Sequence, residues 1–257
     1  MVVMIAIISP IITPYDPSQY QPRDRLKPPS LAHLFGTDAL GRDVFTRVMY
    51  GARYSTWIGF ISISVSLIMG AALGMISGYS GGLVDSVIMR LMDVMLAFPG
   101  ILLALFIAAI LGPGLNNLMI ALGISAIPGY ARVSRSSVLS VKETVYVESA
   151  KAIGCRPVVI GLRHILPNIL APLIVLSTMG LASRILSAAA LSFLGLGAEP
   201  PTPEWGLMLS EGRRYLRQAW WITTFPGLAI MTTVIGINLL GDGVRDALDP
   251  RLYREQR

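Results

Sequence analysis

The sequence predicts an all-α polytopic membrane protein with about six transmembrane helices. Three observations carry this. Hydrophobic residues make up 53% of the 257 and charged residues only 14%, against roughly 25% in soluble domains, and mean hydropathy is +0.63. Apolar runs near the length needed to cross a bilayer recur along the chain, separated by polar segments. The basic residues behind the net charge of +6 gather most densely in one connecting loop, as cytoplasmic loops do. This composition excludes a soluble enzyme, a disordered chain and a coiled coil, and a single cysteine excludes a disulfide scaffold. A pI near 9.7 is accounted for by basic loops at a membrane and calls for no nucleic acid.

Residues 1–13 are apolar but only about half the length of a span, so they read as a shortened first span. A signal-type apolar core is the other reading, although the basic flank and cleavage site of one are missing. Residues 57–78 (WIGFISISVSLIMGAALGMISG) form an uncharged span. Residues 94–111 form the next, with Arg90 and Asp93 as an interfacial pair at its start. Spans over 115–133 and 169–191 follow, the latter carrying Arg184, and a last one over 220–241 opens on Trp220 and Trp221 as an aromatic belt.

The whole chain reads as one transmembrane domain, 1–257. Its basic loop, 130–167, holds Arg132, Arg135, Lys142, Lys151, Arg156 and Arg163, which places it in the cytoplasm. Alternation then puts 14–52 and 198–219 outside and the 242–257 tail inside. The 198–219 loop, with Pro200, Pro201, Pro203 and Trp205, reads as a stiff outer cap. Gly70, Gly74 and Gly78 make a stripe that admits a second helix closely, though glycine is also simply common in membrane helices. Pro99, Pro128, Pro172 and Pro226 fall in or beside spans, where freed carbonyls need partners.

The basic loop is patterned. Residues 141–153 (VKETVYVESAKAI) read as a helix with Val141, Val145, Ser149 and Ala152 on one stripe. Gly154 ends it, and Pro157 can open a second helix. Together these make a compact knob, bent at a glycine.

Glu148-Ser149-Ala150, then Gly154, then a segment ending at Leu166-Pro167, resembles the EAA loop of binding-protein-dependent ABC transporter permeases. FGTDALGRDVFTRVMYGAR (35–53), GPGLNNLMIALG (112–123), GYARVSRSSVLS (129–140), LSFLGLGAEPPTPEWGLML (191–209) and NLLGDGVRDALDPRL (238–252) extend the likeness over about residues 14–252. They are similar to the C-type permease subunit of the dipeptide, oligopeptide and nickel importer branch. The resemblance implies a type I importer permease fold (MetI-like) in a bacterial inner membrane, with an EAA coupling loop over 134–167. It implies a second permease subunit, two ATP-binding subunits that supply hydrolysis, and an extracytoplasmic substrate-binding protein. It also implies a non-catalytic subunit without a cofactor of its own, and the chain has no G-x-x-x-x-G-K-[ST] phosphate loop. Short peptides are the implied cargo, with nickel chelates or haem as alternatives. Ser149 stands where the pattern has alanine, His164 where it has isoleucine, and Ala188 where it often has an acidic residue. The last departure separates this chain from a direct transfer of substrate preference.

On that resemblance Glu148, Ser149, Ala150, Lys151 and Gly154 are the ATPase-coupling residues. Taken alone, Glu148 and Lys151 are also an ordinary i,i+3 pair. Arg184 lines the pathway or reaches to the interface along its stem. His33 and His164 have no metal-ligand cluster beside them, and Cys155 reads as a free thiol. A secondary transporter would carry midplane carboxylates and a membrane-embedded enzyme clustered His, Glu or Asp, and the spans carry neither.

Overall fold

The computed structural model describes residues 2–248; the tail expected beyond that point lies outside the described residues. Ten α-helices account for most of it: α1 (Val2–Ile12), α2 (Val44–Ser80), α3 (Gly82–Leu96), α4 (Gly100–Leu111), α5 (Leu115–Lys142), α6 (Val145–Ala152), α7 (Pro157–Val159), α8 (Leu166–Phe193), α9 (Trp205–Gly212) and α10 (Trp221–Leu248). A π-helical turn, Ile160–Ile165, joins α7 to α8, so Pro157–Phe193 runs on as one 37-residue helix. Among the described residues, three helices are long and apolar enough to cross a membrane unaided: Val44–Ser80, Pro157–Phe193 and Trp221–Ala247.

The other expected spans differ for identifiable reasons. Residues 94–111 are not one rod: α3 and α4 meet at a 92° bend. Pro99 has no N–H for the ladder and drives the preceding residue out of the helical region, and it caps α4 from outside. The 11-residue α1 spans roughly 17 Å at 1.5 Å per residue, about half a bilayer core. The helix expected over 115–133 continues to Lys142. Its polar residues are tolerated because it lies inside the bundle, against α2, α4 and α8.

Helices α2 and α5 form the centre. A Cβ on Gly70 would stand 2.9 Å from the Ile127 carbonyl, one on Gly74 2.6 Å from Ser134 Cβ, and one on Gly78 2.9 Å from Val138 Cβ. The glycine stripe is therefore the α2–α5 interface, and backbone-to-backbone contact replaces side-chain packing there. Hydroxyls knit the seam: Ser62 and Ser66 donate to the Met119 and Gly123 carbonyls at 3.2 and 2.8 Å, and Ser134 to that of Ala71 at 3.0 Å. Outward from this core, Phe60, Ile68, Leu83, Phe106, Ile110 and Leu239 are exposed, the apolar coat a bilayer solvates.

Helix α2 begins at Val44, so 44–52 are helical rather than loop. Asp43 caps it by accepting the Thr46 N–H at 2.7 Å, and is itself fixed by His33 Nδ1 at 2.9 Å. The 198–219 loop is likewise more structured than its prolines suggest. Glu204 caps α9, accepting the Gly206 and Leu207 N–H groups at 2.9 and 2.8 Å. Burial pushes its carboxyl above the usual glutamate value, and those two N–H donors pull it back. Trp205 is buried and donates to the Val48 carbonyl at 2.9 Å, which makes it a wedge inside the bundle. Trp221 is buried too, donating to the Thr37 carbonyl at 3.0 Å, so Trp220 alone of the pair is exposed.

Candidate functional site

The expected helix over 141–153 is interrupted. Thr144 adopts an extended conformation, with φ −79° and ψ 146°. Its hydroxyl turns back onto the Val141 carbonyl at 2.6 Å, the local side-chain bond that competes with helix propagation. Helix α6 therefore starts afresh at Val145, rotated relative to α5. Its buried residues are Val147 and Ala150, not the stripe of Val141, Val145, Ser149 and Ala152. Val145 is 78% exposed.

Gly154 terminates α6 as expected, at φ +80°. Its N–H bonds the Lys151 carbonyl at 3.0 Å, and the Cys155 N–H reaches back to that of Ala150 at 3.1 Å. This is the Schellman pair, which leaves no backbone donor idle where the chain reverses. Pro157 occupies the first turn of α7. The knob's second limb is not a separate short helix but the base of α8, and the hinge therefore abuts a membrane-long rod directly. Replacing Gly154 by valine forces a β-branched residue into left-handed backbone, at about 1–2 kcal/mol, whereas asparagine is tolerated there. Thermal unfolding of the purified protein should rank Gly154→Asn above Gly154→Val.

The five residues expected in the knob have distinct surroundings. Ala150 is buried in a cluster with Val147, Ile160 and Ile165. The Ser149 hydroxyl is used inside α6, donating to the Val145 carbonyl at 2.8 Å. Lys151 does not pair with Glu148: its Nζ sits 6.0 Å from the Tyr79 ring centroid, at the end of α2. Glu148 is exposed and makes no ion pair or side-chain hydrogen bond among the described residues. Beside it Val145, Tyr146, Ser149, Ile153, Cys155 and His164 line a shallow groove of about 620 Å³. An uncompensated carboxylate next to an open apolar groove suits a basic, apolar partner surface.

The knob is strapped to the bundle. Arg135 donates from two nitrogens to the Asp85 carboxylate, each at 2.6 Å, while Ser77 adds its hydroxyl to the same carboxylate. Lys142 Nζ donates to the Gly78 carbonyl at 3.0 Å. Asp93 pairs with Arg132 at 2.6 Å and not with Arg90, because α3 packs against α5. These contacts tie α3 and the end of α2 to the part of α5 that carries α6.

Arg184 stands apart from the knob. It is half-buried on α8 and makes no ion pair among the described residues. Gly180, one turn earlier on the same helix, faces Tyr130 Oη of α5. Sequence reasoning passed over a second charged cluster, at the opposite end of α2: Asp38, Arg42, Arg47 and Glu211 interlock there, with Arg42 bonded to Asp38 at 2.6 Å and to Glu211 at 2.8 Å. Charges inside the 35–53 motif were its only signal, since Glu211 lies 169 residues from Arg42.

Residues 70–254 match the family model of binding-protein-dependent transport system inner membrane components. The dipeptide transport system permease protein DppC of Alkalihalophilus pseudofirmus is 50% identical over 250 residues, covering 97% of this chain and 82% of that protein. A glutathione transport system permease protein of Pectobacterium atrosepticum is 46% identical over 253 residues, covering 98% and 84%. In fold, the chain is similar to a subunit of the MetNI methionine ABC transporter in an inward-facing conformation. That likeness has a TM-score of 0.62 at 18% identity and covers 80% of this chain and 97% of that one. With the knob, the bent α3–α4 pair and the membrane-long helices all on one chain, the protein belongs to the inner membrane components of binding-protein-dependent transport systems.

Proposed function

We propose that this chain is one of two permease subunits of an ATP-driven importer of short peptides, and that α6 with its hinge docks in a cleft of an ATP-binding subunit. Glu148 carries this reading: a carboxylate held on a capped, strapped knob and left without a partner among the described residues. Relatives named for dipeptide and glutathione transport support peptide cargo. In this mechanism an extracytoplasmic binding protein delivers the peptide. Nucleotide-driven closure of the ATP-binding subunits then displaces the knobs. Because α6 is hinged at Gly154 to the base of α8 and strapped through α5 to α2 and α3, its displacement tilts three helices together. That is a rigid-body switch between two accessible states. The chain itself contributes no catalytic residue and no cofactor; Ser149, Ala150, Lys151 and Gly154 shape and hold the surface that Glu148 presents. Arg184 faces the pathway.

Affinity purification of the tagged chain, expressed with its genomic neighbours, tests this. The expected result is recovery with two ATP-binding subunits, and dipeptide uptake that stops on ATP depletion but persists with an uncoupler. Uptake abolished by the uncoupler alone contradicts it.

A further inference from the structure

At the end of the bundle opposite the knob, the 37–47 segment and the α9 region enclose a cavity of about 340 Å³, within the range of small-ligand sites. Arg42, Arg47, Arg213, Arg214, Asp38 and Glu211 supply its charge. Arg42 and Arg47 are almost wholly buried, at 2% and 1% exposure. They are balanced by two carboxylates: Arg42 bonds Asp38 at 2.6 Å and Glu211 at 2.8 Å, and Arg47 lies 3.5 Å from Glu211. Arg47 Nη1 is further occupied by the Pro17 and Pro201 carbonyls, at 3.0 and 3.1 Å. Two features lack a hydrogen-bonding or anionic partner among the described residues, though Arg42 also lies 5.9 Å from the Tyr20 ring centroid and Arg213 5.6 Å from that of Phe193. Arg42 Nη1 is buried without a hydrogen-bond partner, at a cost native proteins seldom carry without a purpose. Arg213 and Arg214, both exposed, make no ion pair among the described residues.

The wall thus carries four guanidinium groups against two carboxylates, with an idle buried donor among them. We propose that this cavity binds a carboxylate group. A monoanion fits better than a phosphate dianion, because Asp38 and Glu211 stand in the same wall and repel a second negative charge. The planar guanidinium forks match carboxylate geometry. Resting on the peptide-import reading, the site has two sources for such a group: the C-terminus of the cargo, or an acidic side chain of the protein that delivers it.

The test uses the complete transporter in membranes, with Cys155→Ser and Leu40→Cys to place one thiol on the cavity rim. Anionic and cationic methanethiosulfonate reagents are compared there and at Leu31→Cys, a fully exposed control (100%). Relative to the control, the anionic reagent should be favoured roughly tenfold, and Arg214→Gln, a surface change that leaves the buried quartet intact, should reduce the preference several-fold. Labelling is then repeated with alanyl-alanine, with its C-terminal amide, and with the purified binding protein. Slowing by alanyl-alanine but not by the amide assigns the site to the cargo. Slowing by the peptide-free binding protein, lost in Arg214→Gln, assigns it to the delivering protein. Equal slowing by peptide and amide, or no slowing by any of the three, overturns the proposal whatever the reagent preference. Uptake of labelled dipeptide by the same membranes is measured separately, so failure of the site is distinguishable from failure of the peptide reading.

Discussion

Glu148→Lys should abolish dipeptide uptake and transport-coupled ATP hydrolysis while the chain still inserts into the membrane. The size of the effect follows from the setting of Glu148. Its in-helix neighbour Lys151 is engaged over Tyr79, so the carboxylate is available to a docking surface, and replacing it costs α6 only the modest favourable interaction of an anion in its first turn, about 0.3–1 kcal/mol. Losing one member of a close charge pair across an interface costs about 2–5 kcal/mol, and reversal adds repulsion. A loss of 30-fold to several thousand-fold is the expected range, at about 1.4 kcal/mol per factor of ten. Glu148→Gln, which keeps the shape and removes the charge, should fall between wild type and Glu148→Lys. Both readouts are taken on the same vesicles, with the amount of inserted protein measured by immunoblot. Normal uptake by the lysine variant would remove Glu148 from the coupling surface.

Gly74→Leu should be severely damaging to the fold. A Cβ at this position runs into the Ala131 carbonyl and comes within 2.9 Å of the Arg135 amide nitrogen. The obstacle is backbone, which cannot rotate away as a side chain does. Helices α2 and α5 would have to separate, and Ser134, whose hydroxyl bonds the Ala71 carbonyl, would lose its acceptor. The expected cost is about 3–5 kcal/mol, the upper range for overpacking with a lost buried hydrogen bond. Gly161→Leu is the control, because a Cβ there meets nothing within 4 Å. In a detergent thermostability series, Gly74→Leu should be recovered in trace amounts or melt far below wild type, and Gly161→Leu should stay close to it.

The contrast between these two glycines also marks what the sequence conveys. The membrane-spanning parts of α2, α8 and α10 could be read because a long, nearly uncharged apolar run is itself the signal for a span. The end of α6 could be read because Gly154 followed by Pro157 has few structural solutions. Elsewhere the decisive partner was distant or the decisive bond was local and weakly coded. Asp93 has Arg90 three residues away, yet its partner is Arg132 on α5, brought in by the packing of α3 against α5. Thr144 breaks a segment containing neither glycine nor proline through one hydroxyl bond, and that break rotates the knob's buried face onto Val147 and Ala150. The Asp38, Arg42, Arg47 and Glu211 cluster joins the start of α2 and the turn before it to α9, more than 150 residues away, and nothing in either segment alone announces the other. The glycine stripe was legible as a pattern; its partner helix was not.

The proposed mechanism requires the knob to receive force from an ATP-binding subunit and pass it to α2, α3 and α8 together. A photo-reactive residue at position 149, activated in membranes of cells expressing the whole transporter, tests that role most directly. Cross-linking to an ATP-binding subunit, lost in Glu148→Lys, is the outcome predicted. Cross-linking to the extracytoplasmic binding protein would put the knob on the wrong side of the membrane and contradict the mechanism.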